Sequence, residues 1–359
     1  VLGLPNAWSN PFLWIKNIID GAIHIFHSED YPKILVLEMG VDRPGDMDRL
    51  TAWIRPDVVV LTRLPDVPVH VEYFASPEEI IQEKQKLVRA LKPDGVLVYN
   101  QDDERVVQVA KETPQQSIGY SRYSLSPFTA SADKVVYENG IAAGFEFLLT
   151  HLDRAVLMRV NGSLGVQHAY NYAAGAAVAS IFSIDLEAVV QSLSLYTPPP
   201  GRMRLIPGIN DTLLIDDTYN SSPTASEQSL STLGGLRGVK RRIAVLGDMM
   251  ELGQFSTREH ERIGRLVPQS ADVLVTIGVR ARGFSKGAIE QGMSEKNIFE
   301  FTDAEQAAHE LQQFIKPGDV LLVKGSQSIR AERFVEKLMA DPSKAEELLV
   351  RQGTVWKSI

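Results

Sequence analysis

Apolar positions repeat with two different periods along this chain. Short runs rich in β-branched residues alternate with stretches of helical periodicity, which is typical of buried parallel strands in an α/β sheet. Strands are predicted at 34–38, 58–61 and 96–99, and the alternation returns later with predicted strands at 213–215, 243–246, 273–277 and 320–323. The pattern therefore predicts two doubly wound α/β domains.

The stretch between these regions follows a different pattern. Residues 117–160 read as alternating strands with turn signals, including Asn139-Gly140, and predict a small antiparallel subdomain. An Ala-rich helix is predicted over 170–182, and a second helix from Leu186. The run Pro-Pro-Pro-Gly at 198–201 predicts a stiff linker. We therefore expect one domain over 1–197, a linker over 198–203 and a Rossmann-like domain over 204–359.

One predicted helix carries a lysine on its apolar face. The helix starts at Ser76, with Pro77 at its first position and Glu79 completing a capping box. Its apolar stripe consists of Ile80, Ile81, Leu87, Val88 and Leu91. Lys84 falls within that stripe, whereas Lys86 is predicted to be solvated. Because an unpaired ammonium is costly to bury, Lys84 must reach solvent, pair with an acid or be chemically altered.

Two further helix starts are predicted from capping boxes in the second half of the chain. The pairs are Ser256 with Glu259 and Thr302 with Glu305.

Composition and charge exclude several classes of function. The 359 residues are 44% hydrophobic and contain no cysteine, which excludes disulfides, thiolate metal sites and cysteine nucleophiles. A formal net charge of −8 argues against non-specific nucleic-acid binding. No apolar run is long enough to span a membrane, so we expect a cytoplasmic protein. The first residue is Val1 rather than Met, and we expect that the chain has lost its true beginning.

Two further candidate residues follow predicted strands. Glu38 ends the first predicted strand, and His70 lies in the segment after the second. Open α/β sheets bind ligands at the carboxyl ends of their strands, so Glu38, His70 and Lys84 are expected on one side of the sheet. Taken singly, Glu38 could cap a helix and His70 could be an ordinary loop histidine.

The chain resembles the Mur ligases, a family of ATP-dependent amide ligases that build bacterial cell-wall precursors. Its motifs are most similar to those of the ligases that join D-alanyl-D-alanine (D-Ala-D-Ala) to UDP-N-acetylmuramoyl-tripeptide. The motifs are "LEMGVDRPGDM" (37–47), "SPEEIIQEKQKLV" (76–88), "YNQDD" (99–103), "LLIDDTYNSSP" (213–223), "AVLGDMMELG" (244–253) with His260, and "LLVKGSQSIR" (321–330). The resemblance implies a central ATPase-type domain followed by the Rossmann-like ligase domain.

The resemblance also implies a reaction and a metal site. The tripeptide carboxylate would take a phosphoryl group from ATP, and the incoming amine would attack the acyl phosphate. Lys84 matches a lysine that is carbamylated in the family, which turns a cation into an oxygen ligand for Mg²⁺. Glu38 and His70 match residues that help to hold that Mg²⁺.

Further residues match positions that meet the nucleotide or the substrate. Asn171 matches an asparagine near adenine, and the family's upstream His-Asn pair is Gln167-His168 here, so His168 takes the place of one adenine contact. The matches to nucleotide-contacting positions around the last domain are Arg202, Asp217, Tyr219 and Asn220. Lys324 and Ser326 lie in a glycine-containing turn after a strand, a suitable place for an anionic substrate group.

The sequence departs from the family pattern in two places. No Gly-Lys-Ser or Gly-Lys-Thr occurs, so the phosphate-binding P-loop is absent from the sequence, as is the family's first domain, which binds the uridine nucleotide. The run 62–70 is longer than usual and contains proline. We therefore expect that the chain by itself is incomplete for activity.

Three alternatives to this ligase are less favoured by the sequence. A non-catalytic relative acting as a binding or partner module would not require a buried lysine. A dehydrogenase is not favoured, because no G-x-G-x-x-G follows a strand. The related ligase that adds the third amino acid is also less favoured, because its substrate motif is missing. We expect small-molecule substrates, UDP-muramoyl peptide and D-Ala-D-Ala, and a monomeric protein.

Overall fold

The computed structural model describes residues 10–26, 32–353 and 356. The chain divides into two compact units, Val1–Gly40 and Val41–Ile359. In the first unit, α1 spans Pro11–Phe26, and the Asn10 side chain caps it by accepting hydrogen bonds from the N–H groups of Phe12 and Leu13. The beginning of "GLPNAWSNP" (3–11) lies outside the described residues.

The strand predicted over 34–38 is wrong. These residues have no regular secondary structure, and the side chains of Ile34, Leu35, Val36 and Leu37 are 40–87% exposed. A strand requires a neighbour to pair with its backbone groups, and the described residues of this unit offer it none.

The second unit contains two six-stranded sheets. The first has the order β1-β2-β3-β4-β5-β6, formed by Val58–Leu61, Val96–Asn100, Gln116–Ser121, Phe128–Glu138, Ile141–His151 and Arg154–Asn161. Its first four strands pair in parallel, and β4, β5 and β6 form an antiparallel meander. Asn139 and Gly140 join β4 to β5 with φ of 49° and 81°, as a type I′ hairpin turn requires. The predicted parallel sheet with an antiparallel subdomain is confirmed.

The helices of this region precede, separate and follow the strands along the chain. They are α2 (Asp46–Thr51), α3 (Pro77–Arg89), α4 (Glu104–Glu112), α5 (Gln167–Ile181) and α6 (Leu186–Ser194). The Ala-rich helix thus begins three residues earlier than predicted.

The second sheet has the order β11-β10-β9-β12-β8-β7. Its strands in chain order are β7 (Arg204–Gly208), β8 (Thr212–Asp217), β9 (Arg241–Gly247), β10 (Val273–Ile277), β11 (Ile298–Phe301) and β12 (Asp319–Lys324). All neighbours pair in parallel except β7, which is antiparallel to β8. The Rossmann-like prediction is confirmed, although β7 and β11, two short edge strands, were not predicted.

Helices accompany this second sheet along the chain. They are α7 (Pro223–Gly234), α8 (Ser256–Gly264), α9 (Val267–Ser270), α10 (Arg282–Glu290), α11 (Ala304–Phe314), α12 (Glu332–Leu338) and α13 (Ala345–Leu348). Among residues 10–26, 32–353 and 356, no helix is long and apolar enough to cross a membrane.

Of the three predicted capping boxes, only the one at α3 forms in part, because Glu79 bonds the N–H of the residue before the N-cap Ser76. The Ser76 hydroxyl accepts from the N–H of Glu79 at 3.3 Å, and Glu79 accepts from the N–H of Ala75 at 2.7 Å. Ser256 is instead the first residue of α8 and makes no cap. At α11, the cap is Asp303 and not Thr302, because the Asp303 carboxylate accepts from the N–H groups of Glu305 and Gln306.

One hydrophobic cluster joins the two sheet regions. It includes Val71 and Ile80 from the segment between β1 and β2, together with Leu246, Met249 and Leu252 from β9 and the loop after it. The two regions of residues 41–359 therefore share a core.

Candidate functional site

Asp217 and Lys324 form a buried ion pair at the carboxyl edge of the second sheet. They end the neighbouring parallel strands β8 and β12 and are register partners, so their side chains emerge together. Lys324 Nζ lies 2.7 Å from Asp217 Oδ2 and donates to the carbonyl of Asn220 at 3.0 Å. Ser229 on α7 donates to the same carboxylate oxygen at 2.6 Å. Three of the predicted site residues thus lie together.

The neighbouring Asp216 connects the Pro-rich run to this edge. Its carboxylate accepts hydrogen bonds from the N–H of Gly201 at 3.0 Å and from the Thr218 hydroxyl at 2.6 Å. Burial raises the pKa of Asp216 to about 6. Asp216 therefore ties the Pro-rich run to the end of β8.

Arg202 and Tyr219 present side chains to solvent beside this edge. The Arg202 guanidinium carbon lies 4.0 Å from the centre of the Tyr219 ring, a cation–π contact. The N–H of Tyr219 donates to the Gly201 carbonyl at 3.1 Å, which fixes the pair. Asn171 is also exposed, on α5. Of the residues matched to nucleotide contacts, Arg202, Tyr219 and Asn171 have accessible side chains.

His168 is buried, in contrast. Its Nε2 lies 2.9 Å from the Ser163 hydroxyl, which also approaches the carbonyls of Arg202 and Met203 at 3.0 Å. Burial lowers the pKa of His168 to about 4, so the ring is neutral near pH 7. His168 therefore helps to connect α5 to the chain around Arg202. Its adenine contact stays a prediction.

Ser326 joins two loops at the end of the second sheet. Its hydroxyl accepts from the N–H of Met250 at 2.8 Å, and its own N–H donates to the Asp248 carbonyl at 3.0 Å. The Asp248 carboxylate accepts in turn from the N–H of Ala281 at 2.6 Å. Ser326 and Lys324, the two predicted substrate-binding residues, are both buried and bonded within the protein.

His260, noted beside the "AVLGDMMELG" motif, supports the loop after β9. Its Nδ1 donates to the carbonyl of Ser256 at 2.7 Å, and its Nε2 accepts from the N–H of Met249 at 2.9 Å. Burial lowers the pKa of His260. The neutral ring is therefore the form that fits both bonds.

Lys84 occupies the predicted apolar face of α3. It is half-buried, and it has no hydrogen-bond or ion-pair partner within the described part of the chain. Burial lowers the pKa of its ammonium. Lys86 differs from its prediction: it is half-buried, and its Nζ lies 2.6 Å from Asp48 and 2.7 Å from the buried Glu83. The two neighbouring lysines therefore have opposite environments.

His70 lies where the two sheet regions meet. It adopts left-handed backbone geometry, with φ of 70°, just before a 3₁₀ turn over Val71–Tyr73. Its Nδ1 is 2.8 Å from a Glu251 carboxylate oxygen, and its Nε2 is 3.3 Å from that of Asp42. Glu251 also has positive φ, at 63°. Two unusual backbone positions thus bring an imidazole and a carboxylate together from distant parts of the chain.

Glu38 does not end a strand, which corrects its prediction. It is exposed and lies in an irregular segment of the first compact unit. The physical reason is the missing strand partner described above.

A cavity of about 1100 Å³ opens elsewhere in the second unit. It lies between the ends of β2 and β3, the β4–β5 hairpin and α7, and its lining includes Asp102, Arg122, Tyr170 and Gln228. None of the predicted site residues lines it.

Two family models match the chain. The model of the Mur ligase middle domain matches residues 17–179, and the model of the Mur ligase, glutamate ligase domain matches residues 201–327. The chain belongs to the Mur ligase family. Curated relatives named UDP-N-acetylmuramoyl-tripeptide–D-alanyl-D-alanine ligase include those of Bacillus subtilis and Mycobacterium leprae. The first relative is 26% identical, and the match covers 91% of this chain and 69% of the relative. The second is 31% identical, and the match covers 88% of this chain and 64% of the relative.

Solved structures give the same architecture for this Mur ligase family member. The MurF ligase from Thermotoga maritima in complex with ADP aligns with a TM-score of 0.73 and 25% identity, over 89% of this chain and 69% of its own. MurF from Acinetobacter baumannii aligns with a TM-score of 0.72 and 24% identity, over 85% and 64%, and supports the fold alone. The chain thus spans roughly two thirds of the length of these relatives.

The residues matched to the metal site fit a magnesium ion only in part. Among the described residues, no group of three or more histidine and acidic side chains could hold a metal. Lys84 fits the carbamate chemistry, because a half-buried amine with a lowered pKa and no acidic partner among the described residues is available to react with CO₂. A carbamate would supply the oxygen ligand that the unmodified set lacks.

Sequence reasoning missed the acidic partners of His70 in this Mur ligase. Asp42 and Glu251 both lie inside motifs that carried the family resemblance, "LEMGVDRPGDM" and "AVLGDMMELG". The signal was therefore present in the sequence. What it could not give was the contact across roughly 180 positions that places Glu251 beside His70.

Proposed function

We propose that this protein is an ATP-dependent amide ligase that joins D-alanyl-D-alanine to UDP-N-acetylmuramoyl-tripeptide. Similarity to ligases of that name over about nine-tenths of the chain supports the choice of substrates. The observation that carries the chemistry is Lys84, a half-buried amine with no acidic partner in the described structure and a lowered pKa. A cytoplasmic location, where ATP is available, belongs to this proposal.

The proposed reaction has two steps. An oxygen of the tripeptide's terminal carboxylate takes the γ-phosphoryl group of ATP, and ADP leaves. The amine of D-alanyl-D-alanine then attacks the acyl carbon, loses a proton and displaces phosphate, which carries away one carboxylate oxygen. Both steps gather negative charge that nearby cations would stabilise.

Different residues would serve the nucleotide and the metal. Asn171, Arg202 and Tyr219 have exposed side chains and would contact the nucleotide, while Asp217 and Asn220 belong to the loop that carries Tyr219. Carbamylated Lys84 and His70, both in the second unit, would hold Mg²⁺. When bound, Mg²⁺ would neutralise phosphate charge during phosphoryl transfer.

A second candidate function is that of a relative that binds nucleotide or peptide without turnover. Within residues 1–359 no Gly-Lys-Ser or Gly-Lys-Thr occurs to hold the terminal phosphates of ATP, so the test must include the product of the full coding region.

A ligation assay with labelled substrate separates the two functions. The chain, and in parallel the product of its full coding region, is incubated with ATP, Mg²⁺, D-alanyl-D-alanine and tripeptide substrate carrying ¹⁸O in the terminal carboxylate. The ligase proposal expects the pentapeptide product, ADP and phosphate that contains ¹⁸O. Binding of ADP with no product from either protein would favour the binding module.

A further inference from the structure

The chain after α13 returns to the loop that follows β8. Arg351 donates from Nη1 to the carbonyl of Thr218 at 3.0 Å and from Nη2 to the carbonyl of Tyr219. The guanidinium therefore bonds two successive carbonyls of the loop that carries Asp217, Tyr219 and Asn220. One planar fork of N–H donors suits two such acceptors, because its donors have fixed directions.

A buried acid fixes Arg351 in this position. Glu332, at the start of α12, is fully buried, and its Oε2 lies 3.0 Å from Arg351 Nη1. Its other oxygen accepts from Arg330 Nε at 2.6 Å. The side chains of Arg351 and Glu332 are 6% and 1% exposed, so this pair is shielded from water and from salt. A surface ion pair would hold the loop far less rigidly.

The loop as a whole is held by buried cations. The carbonyls of Thr218 and Tyr219 bond to Arg351, and the next carbonyl, that of Asn220, bonds to Lys324. With three successive carbonyls bound, the backbone has little freedom to rotate. The exposed side chain of Tyr219 is thereby kept against Arg202.

We propose that Arg351, supported by Glu332, is a positioning residue for the nucleotide site. It holds the backbone of residues 218–219, so that Tyr219 and Arg202 are placed to meet a nucleotide that Arg351 itself does not touch. The match to the Mur ligase, glutamate ligase domain ends at residue 327, before both Glu332 and Arg351. The inference rests on the proposed function for its nucleotide, but the bracing of the loop can be tested separately.

Hydrogen exchange and nucleotide binding test this proposal in parallel. Amide exchange of the peptide covering 217–221 is measured by mass spectrometry, and the affinity for MgADP by calorimetry, in the wild type and in Arg351→Ala. We expect the exchange in this peptide to rise about tenfold, because two hydrogen bonds that fix the loop are lost. The Kd for MgADP should rise by a similar factor.

Arg330→Ala is the matched control. Arg330 bonds the same carboxylate of Glu332 but makes no bond to the loop. Its loss should lower the melting temperature while leaving exchange at 217–221 and the MgADP affinity within about twofold of the wild type. Equal effects of the two variants on exchange would overturn the proposal, because the loss of a partner for Glu332 would then explain both effects.

Arg351→Lys keeps the proposal testable if Arg351→Ala does not fold. Lysine preserves a positive charge beside Glu332, but a single ammonium cannot reproduce the two directed bonds of the guanidinium. Raised exchange at 217–221 in this variant supports the proposal, and unchanged exchange overturns it. Failure of the product of the full coding region to bind MgADP would instead overturn the proposed function, and the exchange measurement would still decide whether Arg351 braces the loop.

Discussion

At the scale of single residues, two lysines two positions apart on α3 have different chemistry. Lys86 is neutralised by Asp48 and Glu83, whereas Lys84 has no such partner in the described structure and its pKa is lowered by burial. Only a neutral amine adds to CO₂. Under the proposed function, the difference in environment, rather than the residue type, would select Lys84 for carbamylation.

We predict that ¹³C-labelled bicarbonate gives one carbamate signal in the NMR spectrum of the wild-type protein with Mg²⁺. The signal should disappear in Lys84→Ala and persist in Lys86→Ala, which is the matched control. It should also grow as pH rises, because the neutral fraction of the amine increases toward its lowered pKa. A signal that survives Lys84→Ala would refute the assignment.

His168 gives a prediction about stability and pH. Its folded pKa of about 4 lies below the ordinary 6.5, so its neutral form stabilises the fold at neutral pH. That stabilisation is lost as pH falls from 6.5 toward 4, and it amounts to about 2 kcal/mol between pH 7 and pH 4.5. The raised pKa of Asp216 acts with the opposite sign, because its folded form binds a proton more readily.

A comparison of His168→Gln with the wild type isolates this effect. The free energy of unfolding in urea is measured for both at pH 7 and pH 4.5. The wild type should lose about 2 kcal/mol more than the variant on acidification, since Asp216 is present in both. His309→Gln, a change at an exposed histidine, should behave like the wild type. Parallel losses in His168→Gln and the wild type would show that His168 is not the source.

At the scale of elements, local signals predicted five helices, α3, α5, α6, α8 and α11, and the central strands. Buried strands such as β9, β10 and β12 are continuous apolar runs, and the Asn139-Gly140 turn fixes its hairpin from two residues. Local pattern fails to predict strands in two ways. It missed the edge strands β7 and β11, and it predicted a strand at 34–38 that does not form. Whether such a segment becomes a strand depends on a neighbour, and the sequence pattern does not contain that neighbour.

For the candidate site too, some contacts could be predicted from the sequence and others could not. Asp217 and Lys324 could be placed together because both end parallel strands of one sheet. The roles of Glu251 and Arg351 could not, because their contacts join segments about 180 and 130 residues apart.

The start of α11 gives a prediction at this scale. Asp303 accepts two backbone N–H groups at the helix start, and the exposed Thr302 before it accepts none. Asp303→Ala should therefore lower the free energy of unfolding by about 1 kcal/mol. Thr302→Ala, the adjacent control, should change it by less than about 0.5 kcal/mol. Urea unfolding measures both changes. A larger effect of Thr302→Ala would contradict this prediction and support Thr302 as the cap, as the sequence predicted.

At the scale of the whole molecule, the shared hydrophobic cluster decides how residues 41–359 unfold. Val71 comes from the first sheet region and is 3% exposed, and it belongs to the same cluster as Leu246 and Leu252 from the second. Each region also has hydrophobic clusters of its own, and these alone would allow the two regions to unfold one after the other. A core that spans both makes the loss of either region costly to the other.

We therefore predict one cooperative thermal transition for residues 41–359, with equal calorimetric and van't Hoff enthalpies. Protection from hydrogen exchange in β2 and β12 should be lost together. Val71→Asp places a charge in the shared cluster, so the two strands should then lose protection at different temperatures. Val279→Asp, at a position that is 70% exposed, should leave the single transition intact. Two transitions in the wild type would mean that the contacts around Val71 are too weak to couple the sheets. The contact between His70 and Glu251 would then break before either sheet region unfolds.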